Sequence, residues 1–209
     1  MMLPYQSFVN QLSRDFDAIP DTSETKSGVI FPLFGSKETA EGIILTERAK
    51  HLKSHPGQIS FPGGVMETSD PNLLVTALRE WEEEMGVERT ALDILGKLQG
   101  LHTRTGFHIT PFLAKYDGDF TFSQNKDEVE RIILLPFSDL WTRPFYAIQI
   151  PGREPNHFAY YFDLPDGLLW GATCEMILRF LKEHSPFDRS PQIVQPNLTK
   201  PPYLDPKSL

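Results

Sequence analysis

Arg79-Glu80-Trp81-Glu82-Glu83-Glu84-Met85-Gly86-Val87 crowds four carboxylates into five consecutive residues, and its reading decides the fold. At 100° per residue, Glu80, Glu83 and Glu84 fall within an arc of about 100° on a helix, while Leu74, Leu78, Trp81 and Met85 line an apolar seam elsewhere. Like charges at i,i+4, such as Glu80 and Glu84, cost an isolated helix roughly 0.2 to 0.5 kcal/mol. Solvent can screen such a run, and an acidic stretch taken alone fits a solvated helix face. A bound cation would neutralise it more completely. The flanks favour the cation. Asp70-Pro71 reads as an N-cap followed by proline at the first helical position, and Gly86 as a left-handed C-terminal cap, which predicts a helix from Pro71 to Met85. Just ahead lies Phe61-Pro62-Gly63-Gly64. There the lack of Cβ atoms lets backbone approach an ion or a phosphate.

From Arg79 to Val87 the chain resembles the second half of the Nudix signature, Arg-Glu-U-x-Glu-Glu-x-Gly-U with U apolar, at every defined position. The first half departs. After five intervening residues Gly64 is followed by Asp70 rather than glutamate, and eight residues rather than seven separate it from Arg79. Asp70 therefore reads as a helix cap. Upstream, Ile44-Leu45-Thr46-Glu47-Arg48, then Leu52-Lys53-Ser54-His55-Pro56-Gly57 and Phe61-Pro62-Gly63-Gly64, with Glu67 and Asp70, is similar to the coenzyme A pyrophosphatase branch of that family, which carries the same extra residue before the arginine. Gly106 to Phe112, Asp127-Glu128-Val129 and Trp170-Gly171-Ala172-Thr173 echo further family segments. The resemblance implies an α/β fold with a mixed β-sheet sandwiched between α-helices. It also implies hydrolysis of a phosphoanhydride with Mg²⁺ or Mn²⁺ as cofactor.

By that resemblance Glu80, Glu83 and Glu84 are the metal carboxylates, with the Gly64 carbonyl a candidate fourth ligand. Arg79 is expected to support them by pairing with Glu83 at i+4. Glu128 matches an acidic position that several Nudix enzymes use near the metals, where it could act as the base; a solvated glutamate before a strand is the plainer alternative. The implied substrate is coenzyme A or an acyl derivative, cleaved to 3′,5′-ADP and 4′-phosphopantetheine. ADP-ribose, dinucleotides and nucleoside triphosphates are the alternatives within the family, and a nucleotide-sensing domain without turnover is the alternative outside catalysis.

Local charge fits a ligand with two anionic centres. The whole chain carries a formal charge of -8 and a pI near 5.2, which argues against nucleic acid as a non-specific partner. Yet no acid occurs between Arg48 and Met66. That span holds Arg48, Lys50, His51, Lys53 and His55, a basic stretch suited to a separate phosphate; an incidental solvated loop is the competing reading. Arg48, Lys50, Lys53, His55 and Gly63 are the candidate substrate contacts.

At 209 residues, 40% of them hydrophobic, the chain can bury a single sizeable core. One domain is expected over 1–185, followed by a proline-rich tail over 186–209. Six prolines from Pro186 onward predict a tail without regular structure. The lone Cys174 permits neither an internal disulfide nor a cysteine zinc site. With no apolar signal core and no membrane-length apolar run, a cytoplasmic protein without membrane partners is expected, and the closing Lys-Ser-Leu is not the peroxisomal Ser-Lys-Leu.

An opening helix is predicted from Tyr5 to Phe16, where Phe8, Leu12 and Phe16 recur every four residues. Strands are predicted at Gly28 to Leu33, Gly42 to Thr46, Gln58 to Phe61, Leu92 to Gly100, Ile109 to Tyr116, Val129 to Pro136, Ala147 to Ile150 and Phe158 to Phe162. A last helix is expected from Trp170 to Glu183.

Overall fold

In the computed structural model, residues 1–149 and 158–194 are described. In chain order the elements are β1 (Leu3–Pro4), β2 (Thr25–Gly35), β3 (Thr39–Arg48), β4 (Ile59–Ser60), β5 (Gly63–Val65), α1 (Leu73–Met85), β6 (Leu92–Lys97), β7 (Leu101–His102) and β8 (Phe107–Tyr116). There follow β9 (Val129–Pro136), α2 (Phe137–Thr142), β10 (Phe145–Gln149), β11 (Phe158–Leu164), β12 (Gly167–Trp170), α3 (Gly171–His184) and β13 (Gln192–Val194). The main sheet runs β1-β3-β2-β8-β6, with β9 and β4 on β3, β5 on β2 and β7 on β8. Within this sheet, among the described residues, β2 and β8 pair in parallel and the other pairs are antiparallel, so it is mixed. A second, smaller sheet has the order β12-β11-β10-β13.

Both faces of the main sheet are buried, which is why its strands read as near-continuous apolar runs. Side chains alternate between the faces with a period of two. Ile30, Ile44, Phe112 and Ala114 pack beneath α1 with Ala77, Trp81 and Met85. Their neighbours Val29, Phe31, Leu33, Ile43, Leu45 and Leu113 belong to the opposite core, with Ile177, Phe180 and Leu181 of α3. Trp81 is fully buried, and truncating such a residue to alanine costs about 3 to 5 kcal/mol. Cys174 is free and buried in the α3 core, where desolvation pushes its thiol well above the usual range.

The predicted opening helix does not form. Two short 3₁₀ turns, Tyr5–Ser7 and Val9–Gln11, occupy its first half, and Ser13 then bridges to Lys97 at the sheet edge. Phe8 and Leu12 serve the α3 core whereas Phe16 packs into the α1 core. Their spacing of four thus reflects a chain crossing the edge of the sheet, not one helical face. The tail also departs from expectation, because Gln192–Val194 forms β13, parallel to Tyr146–Ile148. Prolines 191 and 196 bracket these residues, whose own N–H groups remain available for pairing. Residue 150, the end of the expected Ala147 to Ile150 strand, and residues 195–209 lie outside the described residues. The expected strand Leu92 to Gly100 stops at Lys97, and Gln58 to Phe61 contracts to Ile59–Ser60.

Candidate active site

The acidic helix starts later than the sequence predicts. Its N-cap is Asn72, whose side chain accepts from the Val75 amide at 3.0 Å, and Gly86 closes it in the left-handed region at φ 63°. Asp70 is not a cap. It is buried, and it accepts hydrogen bonds from Arg79 Nε (3.3 Å) and Nη2 (3.2 Å), the Thr76 hydroxyl (3.0 Å) and the Glu67 amide (3.0 Å). Burial raises its pKa, but the bonds from Arg79, the Glu67 amide and Thr76, with the charge of Arg79, together outweigh this and hold it below the usual carboxylate range. The reason is position: Pro71 removes a donor at the next residue, and Asn72, in extended backbone, is the residue that reaches the first free helical amides.

Arg79 is the hub of the helix's charged side. Besides Asp70, its guanidinium meets Glu80 Oε1 at 2.9 Å, Glu83 Oε2 at 3.0 Å and the Val65 carbonyl at 3.3 Å. The expected i,i+4 pair with Glu83 is present. Glu83 is half-exposed and aligned on Arg79, whereas Glu80 and Glu84 turn toward a third carboxylate from outside the helix. Carboxylate oxygens of Glu80, Glu84 and Glu128 all lie within 4.8 Å of one another. Glu82 takes no part: it pairs with the amide and guanidinium of Arg89.

Main-chain bonds hold the three carboxylates together. The Gly63 amide donates to Glu84 Oε2 at 3.2 Å. The Asn125 amide donates to the Glu84 carbonyl at 3.1 Å, and the Asn125 carbonyl receives the amides of Glu128 (3.0 Å) and Val129 (2.8 Å). Ala49 N–H then donates to the Glu128 carbonyl at 2.8 Å, tying the start of the basic stretch to the same turn. Gly64 backs onto Glu80, where a Cβ would lie 2.3 Å from a carboxylate oxygen, so no other residue fits without moving Glu80.

Burial, then the charge of Glu80, pushes the Glu84 carboxyl up to about 8; the Gly63 amide and Arg48 oppose this only in part. Burial likewise raises Glu80 despite Arg79. Neither Glu84 nor Glu128 has an ion-pair partner among the described residues. Three hard oxygen donors at this spacing suit a six-coordinate cation with metal–oxygen distances of about 2.1 Å.

Of the charged candidate substrate contacts, Arg48 is the one whose charge acts on Glu84. It is near enough to pull the Glu84 pKa down, and its Nε is buried without a hydrogen-bond partner among the described residues. Lys50, Lys53 and His55 are exposed in the turn that follows, with His55 at φ 53°. Gly63 gives its amide to Glu84.

A family model described as the NUDIX domain matches residues 25–157. The chain belongs to the Nudix family. A relative from Yersinia pestis (strain Pestoides F), named "Uncharacterized Nudix hydrolase NudL", is 30% identical over 186 residues, covering 88% of this chain and 90% of the relative. The Nudix fold seen here is shared by a Nudix hydrolase from Nitrosomonas europaea, with TM-score 0.51 and 16% identity over 86% of this chain and 83% of that one. It is shared also by the M. Smegmatis Nudix hydrolase RenU, with TM-score 0.50 and 13% identity over 80% and 91%. In the Nudix frame, the sequence reading found the helix carboxylates but missed how Asp70 engages Arg79. The signal available was a single extra acid nine residues ahead of the arginine, and proline beside it pointed to a cap instead.

Proposed function

We propose that this Nudix protein hydrolyses the pyrophosphate bond of coenzyme A or acyl-coenzyme A, releasing 3′,5′-ADP and (acyl-)4′-phosphopantetheine. The observation that carries this reading is the junction between Ala49 and Glu128. It fastens the basic turn of residues 48–55 beside the carboxylate cluster, so a substrate with one diphosphate and one separate phosphate would meet a cation held by the carboxylates at the first and the basic turn at the second. Membership of a hydrolase family and the sequence of the turn supply the rest of the support.

Mg²⁺ or Mn²⁺ held by Glu80 and Glu84, with Glu128 alongside, would supply charge neutralisation for the diphosphate and acidify a bound water. Arg79 fixes the rotamers of Glu80 and Glu83 rather than touching substrate. Arg48, with its unpartnered Nε at the cluster, offers a donor to a phosphate oxygen. Glu128, carried by a turn and not by the helix, takes the proton from the attacking water. The test offers coenzyme A, acetyl-coenzyme A, dephospho-coenzyme A, ADP-ribose and NADH in parallel with each metal, with products identified by mass. Coenzyme A should be the best substrate. ADP-ribose outperforming it would overturn the substrate assignment.

A further inference from the structure

Glu47 is a carboxylate at the start of the basic turn, and its tighter partner lies on another strand. It lies in β3 between Thr46 and Arg48, is largely buried, and faces Arg131 of β9 across the antiparallel register. Arg131 Nε donates to Glu47 Oε2 at 2.5 Å. The same guanidinium reaches the carboxylate of Asp166 through Nη1, and the Asp166 carbonyl through Nη2 at 2.5 Å. Asp166 occupies the turn between β11 and β12, so Arg131 also joins the small sheet to the main one. On the other side of Glu47, Oε1 stands 3.9 Å from the Nζ of exposed Lys50.

We propose that Arg131 is a positioning residue for substrate specificity: by engaging Glu47 Oε2 it leaves that carboxylate only the long 3.9 Å contact with Lys50, and so preserves the turn's affinity for the substrate's second anionic group. This rests on the reading of the turn as a phosphate contact. The physical argument is one of competition. A buried carboxylate seeks a cation, and with Arg131 removed the one left within ion-pair distance among the described residues is Lys50 of the turn. Fork geometry matters here, since a guanidinium can serve Glu47 and Asp166 together whereas an ammonium presents a single point of charge. The remote pair therefore acts on KM, not on the chemical step.

The experiment compares coenzyme A with dephospho-coenzyme A on wild type, Arg131→Gln, Glu47→Gln and the double variant, with Mn²⁺ affinity and thermal midpoint recorded for each. Arg131→Gln should lower the kcat/KM preference for coenzyme A about three- to tenfold, through KM, with kcat and Mn²⁺ affinity within about twofold of wild type. Adding Glu47→Gln removes the competing carboxylate and should restore the preference. A purely structural role would lower the thermal midpoint without moving the substrate ratio, and that outcome overturns the proposal. So does a preference lost equally in the single and double variants. If Arg131→Gln does not fold, the double variant and Glu47→Gln alone decide: both should keep or increase the preference, and a decrease in either overturns it. A wild type indifferent to the 3′-phosphate would instead remove the underlying reading of the turn.

Discussion

Replacing Glu84 by glutamine tests whether the cluster is built for a cation. The amide keeps the shape and an acceptor for the Gly63 N–H, and removes only the charge. In the metal-free protein the Glu84 pKa rises from 4.5 to about 8, so the folded state holds this proton more tightly than the unfolded chain does. Its contribution to stability is complete below pH 4.5 and is lost as pH rises to about 8. At about 1.4 kcal/mol per pH unit, the folded protein has lost on the order of 4 kcal/mol of this contribution by pH 7.5, three units above 4.5. For a domain of this size 1 kcal/mol moves the thermal midpoint by roughly 2 to 4 °C. Glu84→Gln should therefore melt at least about 5 °C above wild type at pH 8 in EDTA, and close to wild type at pH 5. Mn²⁺ should raise the wild-type midpoint and barely move the variant's, while turnover collapses. Equal midpoints at pH 8, or an undiminished Mn²⁺ effect on the variant, would refute the argument.

Glu128→Gln should lower turnover about 10² to 10⁴ fold with substrate affinity largely kept. Steady-state kinetics beside a Mn²⁺ titration separate the roles: a loss confined to metal affinity would make Glu128 a ligand and move the base to Glu80. Gly64→Ala places a Cβ 2.3 Å from the Glu80 carboxylate, so Glu80 should swing aside and Mn²⁺ affinity, followed by electron paramagnetic resonance, should fall roughly tenfold. Glu82→Gln loosens only the partly exposed pair with Arg89, and both activity and chemical denaturation should stay within about 1 kcal/mol of wild type.

How much of this was legible depended on whether a residue's partner was local. The acidic helix announced itself because the Gly86 cap, the periodicity and the i,i+4 pair are settled within a few residues, although its N-cap fell on Asn72 and not on Asp70, and Val129–Pro136 was legible residue for residue as a strand. The Gly28 to Leu33 part of the Thr25–Gly35 strand was legible because both its faces are apolar. The opening segment misled for a physical reason: Phe8 and Phe16 are claimed by different cores, a fact decided by the sheet edge near Lys97 and not by nearby sequence. Within the site, Glu80 and Glu84 were readable as a pair, but their convergence with Glu128 depends on Asn125 bonding to the helix end. The division of labour that leaves Glu83 on Arg79 also depends on three-dimensional placement, as does the Glu47–Arg131–Asp166 link, whose members are scattered along the chain.

The bonds that close the site are largely bonds between peptide groups: Asn125 to the Glu84 carbonyl, Glu128 to Asn125, Ala49 to the Glu128 carbonyl. Peptide groups are common to every amino acid except for the proline nitrogen. Evolution can therefore rewrite most side chains along residues 117–127 while the carboxylates stay converged, provided the number of residues in that connection does not change. Drift in this family member is constrained more by spacing than by spelling: a one-residue deletion there should do more harm than several substitutions, and a proline at Ala49 or Asn125 more than any other single replacement.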